Sequence, residues 1–254
     1  MLKRILETKR QEIQTMILPE DKGLEQRSFY EALKTPNRSL GLIAEVKKAS
    51  PSKGVIKENF NPKNISIAYE KGLADCLSVL TDETYFQGKK EYLTLIKETI
   101  NLPILRKDFI IDSIQIEESK RIGADAILLI AEAMEPSLLR ELYEHATELG
   151  LDALVEVHSV PILEKVLREF TPKLLGVNNR NLSTFETNIH QLKDFRKIVP
   201  ENTLLVSESG IYTVEDLQIV REYGAHAILV GESLMRKENQ QLAIEELFGE
   251  NIHV

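Results

Sequence analysis

The amino-acid sequence predicts an α/β protein, a (β/α)8 TIM barrel with an N-terminal helical extension. Eight short apolar runs, rich in leucine and β-branched residues, recur past residue 40 at spacings of roughly 22 to 33 residues, and an amphipathic, helix-like segment follows each. The runs are 42–47, 75–80, 103–107, 125–130, 152–157, 174–178, 203–208 and 226–230. Eight strand–helix units close such a barrel, whereas a doubly wound sheet usually has fewer strands and a glycine fingerprint that is absent here.

Four of these units share a glycine that ends the amphipathic stretch shortly before the next strand. The segments are GLADCLSVL at 72, GADAILLI at 123, GLDALVEV at 150 and GAHAILVG at 224. Glycine at this point predicts a left-handed helix C-cap. The copies at 123 and 224 are compatible with a barrel of two related halves, although glycine-capped turns would look alike for physical reasons alone.

The first 40 residues do not fit the repeating unit and are predicted to be the helical extension, so that 1–40 and the barrel at 41–254 form one domain over 1–254. An apolar stripe from Ile5 to Leu18 predicts a helix that stops at Pro19, and a second helix is expected from about Leu24 to Leu33. The extension could lie across one mouth of the barrel as a lid or only cover a face, and the sequence leaves both open.

Composition and charge exclude several classes of function. A net charge of −8 argues against nucleic acid as the main partner. No apolar stretch approaches the roughly 18 residues that span a bilayer, so no membrane contact is expected. A single cysteine and a start without a signal-peptide core suit the cytoplasm. The common dinucleotide, nucleotide and metal motifs are absent, so no metal and no cofactor is predicted. The expected state is a monomer or weak homodimer, which the sequence does not decide.

The first run ends in the segment IAEVKKASPSKG, which begins at Ile43. Glu45 and Lys47 alternate with apolar residues, so a strand would place both charges on one side. Charged side chains on the interior side of a strand are costly unless they pair or do chemistry. The segment therefore predicts the wall of a site. The alternative is an exposed edge strand with a solvated charged face.

The active site of a barrel lies at the carboxyl ends of its strands, and several runs end in charged residues. The cations are Lys47, Lys107 and Arg180, the carboxylates are Glu45, Glu156 and Glu208, and Asn178 lies at the end of the sixth run. Such a group of nearly cancelling charges can perturb pKa values and supply an acid and a base. Lysine beside Ile104 and Phe109 could serve as the general acid and a partly buried glutamate as the base. A structural salt-bridge network is the alternative.

The last two runs predict a phosphate site and therefore a small, phosphorylated, anionic substrate. Glu208-Ser209-Gly210 and Gly231-Glu232 place glycine directly at a strand end, where bare backbone N–H groups can approach a bound group. Ser50 could add a hydroxyl. The alternative is that these glycines only shape tight turns.

Few aromatic residues are present, and two of them follow neighbouring strands. Phe86 and Phe109, with Pro51, Leu128 and Ile130, could form an apolar slot for a planar ring. His158 and Cys76 are expected to be structural, since neither has a partner at metal or nucleophile spacing.

These segments, taken in order, closely resemble the indole-3-glycerol phosphate synthase family over nearly the whole chain. The matching stretches are IAEVKKASPSKG, LTDETYFQG, PILRKDFI, GADAILLI, LVEVHS, GVNNRNL, VSESGI and LVGESLMR. The resemblance implies ring closure of 1-(2-carboxyphenylamino)-1-deoxyribulose 5-phosphate with loss of carbon dioxide and water, giving indole-3-glycerol phosphate without a cofactor.

The resemblance also implies roles for individual residues. Lys107 corresponds to the general acid that protonates the ketone oxygen, and Lys47 to the group that holds the substrate carboxylate. Glu156 resembles the acid or base of the dehydration. Glu45 and Asn178 would orient lysine and substrate hydroxyls, and Glu208 and Arg180 would complete the polar ring. The phosphate site would comprise Ser50, Ser209, Gly210 and Gly231, and the anthranilate pocket Phe86, Phe109 and Leu128. Glu232 stands where some family members have a small hydroxylic residue.

Three other functions compete with this one. A phosphoribosyl isomerase would need an acid–base pair and a phosphate site, but neither a lysine at 47 for a carboxylate nor an aromatic slot. A Schiff-base aldolase would want a lysine at the end of the sixth run, where Asn178 and Arg180 stand instead. A catalytically silent barrel would bind a phosphorylated ligand as a sensor, with no reason to keep both Lys107 and Glu156.

Overall fold

A closed barrel of eight parallel strands forms the centre of the protein. The computed structural model describes residues 1–181, 184 and 186–250. The strands are β1 (Gly41–Val46), β2 (Ala49–Ser50), β3 (Gly54–Val55), β4 (Cys76–Leu80), β5 (Ile104–Lys107), β6 (Ala126–Ile130), β7 (Asp152–Val157), β8 (Leu174–Asn178), β9 (Leu204–Glu208) and β10 (Ala227–Val230). Around the barrel they follow the order β1-β10-β9-β8-β7-β6-β5-β4, and β2 and β3 form a small hairpin after β1.

Most of the helices follow strands and cover the outside of the barrel, whereas the first pair precedes β1. They are α1 (Leu2–Gln14), α2 (Phe29–Lys34), α3 (Pro62–Lys71), α4 (Glu83–Phe86), α5 (Lys90–Lys97), α6 (Ser113–Arg121), α7 (Pro136–Glu148), α8 (Val160–Glu169), α9 (Leu192–Arg196), α10 (Val214–Glu222), α11 (Glu232–Met235) and α12 (Gln240–Leu247). In the part of the chain that the structure describes, no helix combines the length and the apolarity needed to cross a membrane.

All eight predicted runs are barrel strands, which confirms the predicted fold. The alternative of an exposed edge strand at Glu45 is wrong, because β1 pairs with β10 on one side and β4 on the other. Apolar side chains pack in two layers. The smaller cluster, which includes Ile43, Leu105 and Leu154, lies inside the barrel, and the larger one fills the space between strands and helices. Because both faces of each strand are buried, the strands appear in the sequence as continuous apolar runs.

The predicted left-handed glycine caps occur at three of the four positions. Gly123, Gly150 and Gly224 have φ values of +94°, +76° and +85°. The prediction is wrong at Gly72, whose φ is −74°, because Leu73 adopts the left-handed conformation there with φ +57°. Space around Gly72 is tight, since a β-carbon on it would lie 2.8 Å from Ile244 Cδ1 of α12, which would have to shift.

The N-terminal extension precedes β1 as predicted, but its helices are shorter than expected. The first helix ends at Gln14 rather than at Pro19, and Ile17 is 88% exposed. The second begins at Phe29 rather than near Leu24, because the Ser28 side chain accepts a hydrogen bond from the Glu31 N–H and caps the helix there.

The stretch between these two helices runs along the outside of the barrel and is fixed by polar contacts. Arg121 donates to the Pro19 carbonyl, Gln26 donates to the Ala124 carbonyl, and the Arg27 N–H donates to Asp125. These bonds satisfy backbone polar groups that would otherwise need partners within a helix, so the stretch does not have to be helical. An apolar pattern does not reveal such bonds, which is why it predicted a longer helix. The extension thus reaches both ends of the barrel, with Phe29 and Leu33 of α2 packed in the inner cluster.

Helix α1 is attached to the carboxyl end of the barrel through one buried lysine. The Lys9 ammonium lies 2.8 Å from Asp82 Oδ2 and 2.9 Å from Asp108 Oδ1, and Lys9 is only 3% exposed. Burial by itself would lower the pKa of Lys9, but the charges of Asp108 and Asp82 outweigh it and raise the pKa. Asp108 also accepts from Thr81 Oγ1 at 2.6 Å, and it directly follows Lys107. Lys9 therefore connects α1 to the residue next to the proposed general acid.

We expect Lys9→Met to lower the free energy of unfolding by about 3–5 kcal/mol, because it takes the cation away from buried Asp82 and leaves buried Asp108 paired with Arg106 alone. The control is Lys22→Met, which removes a half-exposed lysine 3.7 Å from Glu98 and should cost less than about 1 kcal/mol. Urea unfolding followed by circular dichroism measures both. Equal stability of the two variants would contradict the assigned role of Lys9.

Candidate active site

One cavity opens at the carboxyl ends of the barrel strands, and all the site residues predicted from the sequence line it. They are Glu45, Lys47, Ser50, Pro51, Phe86, Lys107, Phe109, Leu128, Glu156, Asn178, Arg180, Glu208, Ser209, Gly210 and Gly231. Residues from all eight barrel strands or the segments after them therefore come together, as the barrel topology requires. Within the described residues, no three His, Cys, Asp or Glu side chains lie close enough to hold a metal ion.

Lys107, the last residue of β5, lies between two buried glutamates at the centre of the cavity. Its ammonium donates to Glu208 Oε2 at 2.6 Å and to Glu156 Oε2 at 3.1 Å. Glu156 and Glu208 are 4% and 1% exposed. Burial would lower the pKa of Lys107, but the charges of Glu208 and Glu156 outweigh this effect and raise it. Lys107 is therefore held as an ammonium ion.

The two carboxylates around Lys107 differ in their other partners, and this difference separates their pKa values. Burial raises the pKa of Glu156, but Lys107, His158 and the amide of Asn178, which donates at 3.2 Å, together lower it to about 2. Burial and the charge of Glu156 raise the pKa of Glu208 to about 8, against the opposing effect of Lys107. Glu208 Oε1 is buried and has no hydrogen-bond partner among the described residues. One lysine thus faces one firmly ionised carboxylate and one that titrates near neutral pH.

Two glycines on neighbouring strands make room for the buried carboxylates. A β-carbon on Gly176, in the middle of β8, would overlap the Glu208 carboxylate. A β-carbon on Gly231, after β10, would overlap that of Glu45. Gly231 was predicted from the sequence as part of a phosphate site, and the structure gives it this additional steric role.

Glu45 and Lys47 of the first strand segment pair with each other at the cavity wall. The Lys47 ammonium contacts Glu45 Oε1, and the lysine side chain is 17% exposed whereas the glutamate side chain is 5% exposed. Tyr69 of α3 donates to the Glu45 carbonyl at 3.1 Å and fixes this part of β1 from outside the barrel. The predicted placement of both charges on one side of the strand is confirmed.

A strained turn after β9 borders one side of the cavity. Ser209 has φ +68° and Gly210 has φ +80°, both in the left-handed region. For a serine this conformation is uncommon and costs of the order of 1 kcal/mol, so neighbouring contacts must stabilise it. Asn179 provides them, since its amide donates to the Ser209 carbonyl at 3.1 Å and to Ser207 Oγ at 2.9 Å. The turn presents its backbone to the cavity in a fixed geometry.

Glu232 lies beside this turn and is surrounded by cationic side chains. Its carboxylate is 3.0 Å from Arg236 Nη2, 3.8 Å from Arg180 Nη2 and 4.0 Å from Lys53 Nζ. Its side chain is only 15% exposed. A carboxylate therefore stands among the cations that would attract a bound anion.

The opposite side of the cavity is apolar. The rings of Phe86 and Phe109 are 6.0 Å apart between centroids and tilted by 38°, as in typical aromatic pairs. Leu128 and Ile130 add to this surface, as predicted. Ile5 of α1, which sequence reasoning missed, also lines the cavity. Apolar residues at the start of α1 resemble ordinary core positions in the sequence, so no local signal marks them.

His158, which was expected to be structural, also lines the cavity and contacts two carboxylates. Its Nδ1 atom lies 3.1 Å from Glu132 Oε2, and its Nε2 atom lies 3.3 Å from Glu156 Oε1. Glu132 follows β6 and lies 26 positions earlier in the chain. Only the neighbouring positions of β6 and β7 in the barrel bring the two side chains together. Cys76, by contrast, is fully buried in the inner cluster.

The barrel and its charged, partly enclosed mouth define the class of the protein, a (β/α)8-barrel enzyme. The sequence model of the indole-3-glycerol phosphate synthase family matches residues 2–247. The indole-3-glycerol phosphate synthase of Priestia megaterium is 64% identical over 99% of this chain and 98% of its own length. Those of Bacillus pumilus and Bacillus velezensis are 62% and 58% identical, each over 98% of this chain and 100% of their own lengths.

The chain belongs to the indole-3-glycerol phosphate synthase family. It is a decarboxylating lyase of tryptophan biosynthesis that forms indole-3-glycerol phosphate by ring closure with loss of carbon dioxide and water.

We expect the pH dependence of stability to change in Glu208→Gln. Because the pKa of Glu208 is raised from 4.5 to about 8, the folded protein resists its ionisation. The contribution that protonated Glu208 makes to the free energy of unfolding is fully present below about pH 4.5 and is lost as the pH rises towards 8. Glutamine cannot ionise, so the variant should gain stability relative to the wild type between these pH values.

Urea unfolding of both proteins at several pH values from about 5 to 9 measures this difference. The exposed residue Glu238 offers a control, Glu238→Gln, for the loss of one carboxylate. Parallel stability curves for the wild type and Glu208→Gln would show that Glu208 does not titrate as described.

Proposed function

We propose that this cavity closes the indole ring of 1-(2-carboxyphenylamino)-1-deoxyribulose 5-phosphate, with Lys107 as the general acid that protonates the ketone oxygen as the new carbon–carbon bond forms. The position of Lys107 between Glu156 and Glu208 is the observation that most supports this role. Both carboxylates keep the lysine protonated until it reacts. A positioned ammonium at the cavity surface is suited to a carbonyl oxygen that develops negative charge.

Glu208 and Glu156 have different roles in this proposal because their pKa values differ. Glu208, 2.6 Å from the lysine, carries a proton for part of the time near neutral pH and is the nearest group that can return one to Lys107. Glu156 stays ionised and acts as the base of the dehydration. Asn178 orients the Glu156 carboxylate by donating to Oε1, so that Oε2 faces Lys107.

Lys47 would hold the carboxylate that leaves as carbon dioxide. Its pairing with Glu45 fixes the ammonium at the cavity wall before the substrate binds. Glu45, which is buried and held by the backbone of β1, orients this lysine. Releasing carbon dioxide removes a negative charge next to Lys47, so this cation serves binding and orientation.

The two sides of the cavity would bind the two ends of the substrate. The phosphate would lie at the turn after β9 and the loop after β10, with Ser50, Arg180, Ser209, Gly210 and Gly231 around it. The rigid left-handed turn and its glycine support this assignment. The anthranilate ring would lie against Phe86, Phe109, Leu128 and Pro51. This arrangement places the reacting carbons between the ends, near Lys107.

Several broader properties belong to the same proposal. Residues 1–254 form a single domain, since α1 and α2 both pack on the barrel, although 182, 183, 185 and 251–254 lie outside the described residues. The protein works in the cytoplasm as a monomer or weak homodimer, without a cofactor. Its acidic net charge of −8 supports a small-molecule substrate rather than nucleic acid as its partner.

We expect Lys107→Ala to lower the turnover rate by about 100-fold or more, the usual scale for losing a general acid. Lys165→Ala, which removes an exposed lysine on the outer helix α8, is the matched control and should turn over like the wild type. The turnover rate is measured by mixing each purified protein with the carboxyphenylamino-deoxyribulose phosphate and following the indole fluorescence of the product.

Near-normal turnover of Lys107→Ala would refute its role as the acid. A folded wild-type protein that binds this substrate without forming indole-3-glycerol phosphate would instead favour a silent binding protein. Absence of binding as well would favour a phosphoribosyl isomerase.

We expect Glu232→Gln to strengthen phosphate binding. Its carboxylate repels a phosphate at the neighbouring turn and shares Arg180 and Lys53 with it. Removing one such partly exposed charge is worth up to ~1 kcal/mol, so KM for the substrate and the inhibition constant of inorganic phosphate should fall roughly threefold to fivefold. Glu238→Gln is the control, and a KM that rises in Glu232→Gln would contradict the proposed phosphate position.

A further inference from the structure

A carboxylate outside the cavity holds the imidazole of His158 at two points. Glu132 lies in the short 3-10 helix Ala131–Ala133 that follows β6. Its Oε1 atom accepts the His158 backbone N–H at 2.8 Å, and its Oε2 atom lies 3.1 Å from the ring Nδ1. Because a carboxylate can only accept, Nδ1 is the donor and carries a proton. One side chain thereby fixes both the backbone and the ring of His158.

The other ring nitrogen of His158 faces Glu156. Nε2 is buried, lies 3.3 Å from Glu156 Oε1, and makes no hydrogen bond in the described part of the chain. With Nδ1 protonated, a neutral imidazole would point its Nε2 lone pair at a carboxylate oxygen, which is repulsive. A second proton on the ring turns the contact into an attractive ion pair. The geometry therefore favours a positively charged His158 between two carboxylates.

The other charged groups that face His158 agree with this assignment. Burial would lower the pKa of His158, but the hydrogen bond to Glu132 and the charges of Glu156, Glu132 and Glu208 outweigh it and raise the pKa above its ordinary value. Lys107 is the neighbouring cation and lies on the far side of Glu156, at Oε2. The two cations therefore hold opposite oxygens of one carboxylate.

We propose that His158, held by Glu132, is a positioning residue that keeps Glu156 ionised and fixes the orientation of its carboxylate during the reaction. This inference rests on the proposed function, because it acts through Glu156. Its importance is greatest after Lys107 has given up its proton, when His158 is the cation that remains beside Glu156. Glu132 does not line the cavity, so its effect on the reaction must pass through His158.

The pH dependence of kcat tests this role through a residue that does not touch the cavity. The wild type should lose kcat on the alkaline side as His158 gives up its proton. Glu132→Gln removes the anion at Nδ1, which lowers the pKa of His158, so the alkaline limb should move to lower pH by half a unit or more while KM changes less than twofold. Glu135→Gln removes an exposed carboxylate three positions further on and should leave the profile unchanged.

Glu208 titrates in the same pH range, so a second readout identifies His158 directly. In proton NMR of the whole protein, the ring signal that disappears in His158→Gln belongs to His158. Its titration in the wild type should lie above the ordinary histidine pKa of about 6.5 and should move lower in Glu132→Gln. His158→Gln keeps a neutral amide donor but cannot titrate, so its kcat should be reduced and its profile should lack the limb assigned to His158.

Superimposable pH profiles of the wild type and Glu132→Gln would overturn the inference, and so would a His158 ring that titrates at or below the ordinary histidine pKa of about 6.5, or a wild-type limb retained in His158→Gln. Glu156→Gln, measured alongside, separates this failure from that of the proposed function. If Glu156→Gln loses turnover while Glu132→Gln behaves like the wild type, only the proposed role of His158 is refuted. If Glu156→Gln keeps wild-type turnover, the role of Glu156 in the proposed function is refuted as well.

Discussion

The placement of one ammonium ion between two buried carboxylates is the constraint on which the active site depends. Lys107 cannot neutralise both Glu156 and Glu208, and burial makes an uncompensated charge expensive. The protein resolves this by giving Glu156 two further partners, Asn178 and His158, and by leaving Glu208 as the carboxyl that takes up a proton. At neutral pH the site therefore holds one firmly ionised carboxylate, Glu156, and one carboxyl, Glu208, whose pKa of about 8 lets it carry a proton.

The barrel makes this placement possible, since its parallel strands bring residues far apart in the chain to one mouth. Lys107 and Glu208 are 101 positions apart, yet their side chains meet at 2.6 Å. Space for Glu208 depends on Gly176 of the neighbouring strand. The N-terminal extension adds to the same structure from outside, because Lys9 of α1 pairs with Asp108, the residue after Lys107. A contact that fixes the extension thus also fixes the backbone beside Lys107, the proposed general acid.

Much of the fold and of the candidate site could be predicted because the signals are local. Buried strands appear as apolar runs, and their ends carry the charged residues that line the cavity, so Glu45, Lys107 and Glu208 were found from position alone. The missed features are long-range. In the sequence Lys9 resembles an ordinary solvent-exposed helix lysine, and only the fold brings it to Asp82 and Asp108. The roles of Glu132 and His158 depend on a contact between neighbouring strands that no spacing in the sequence reveals.

A crystal structure with an unreactive analogue of the substrate, in which the ketone is reduced to an alcohol, tests the central claim most directly. The account predicts that the alcohol oxygen lies within hydrogen-bond distance of Lys107 Nζ, with the carboxylate at Lys47 and the phosphate at the turn of Ser209 and Gly210. An analogue bound with its phosphate at Phe86 and Phe109, or with its alcohol oxygen out of reach of Lys107, would contradict the account.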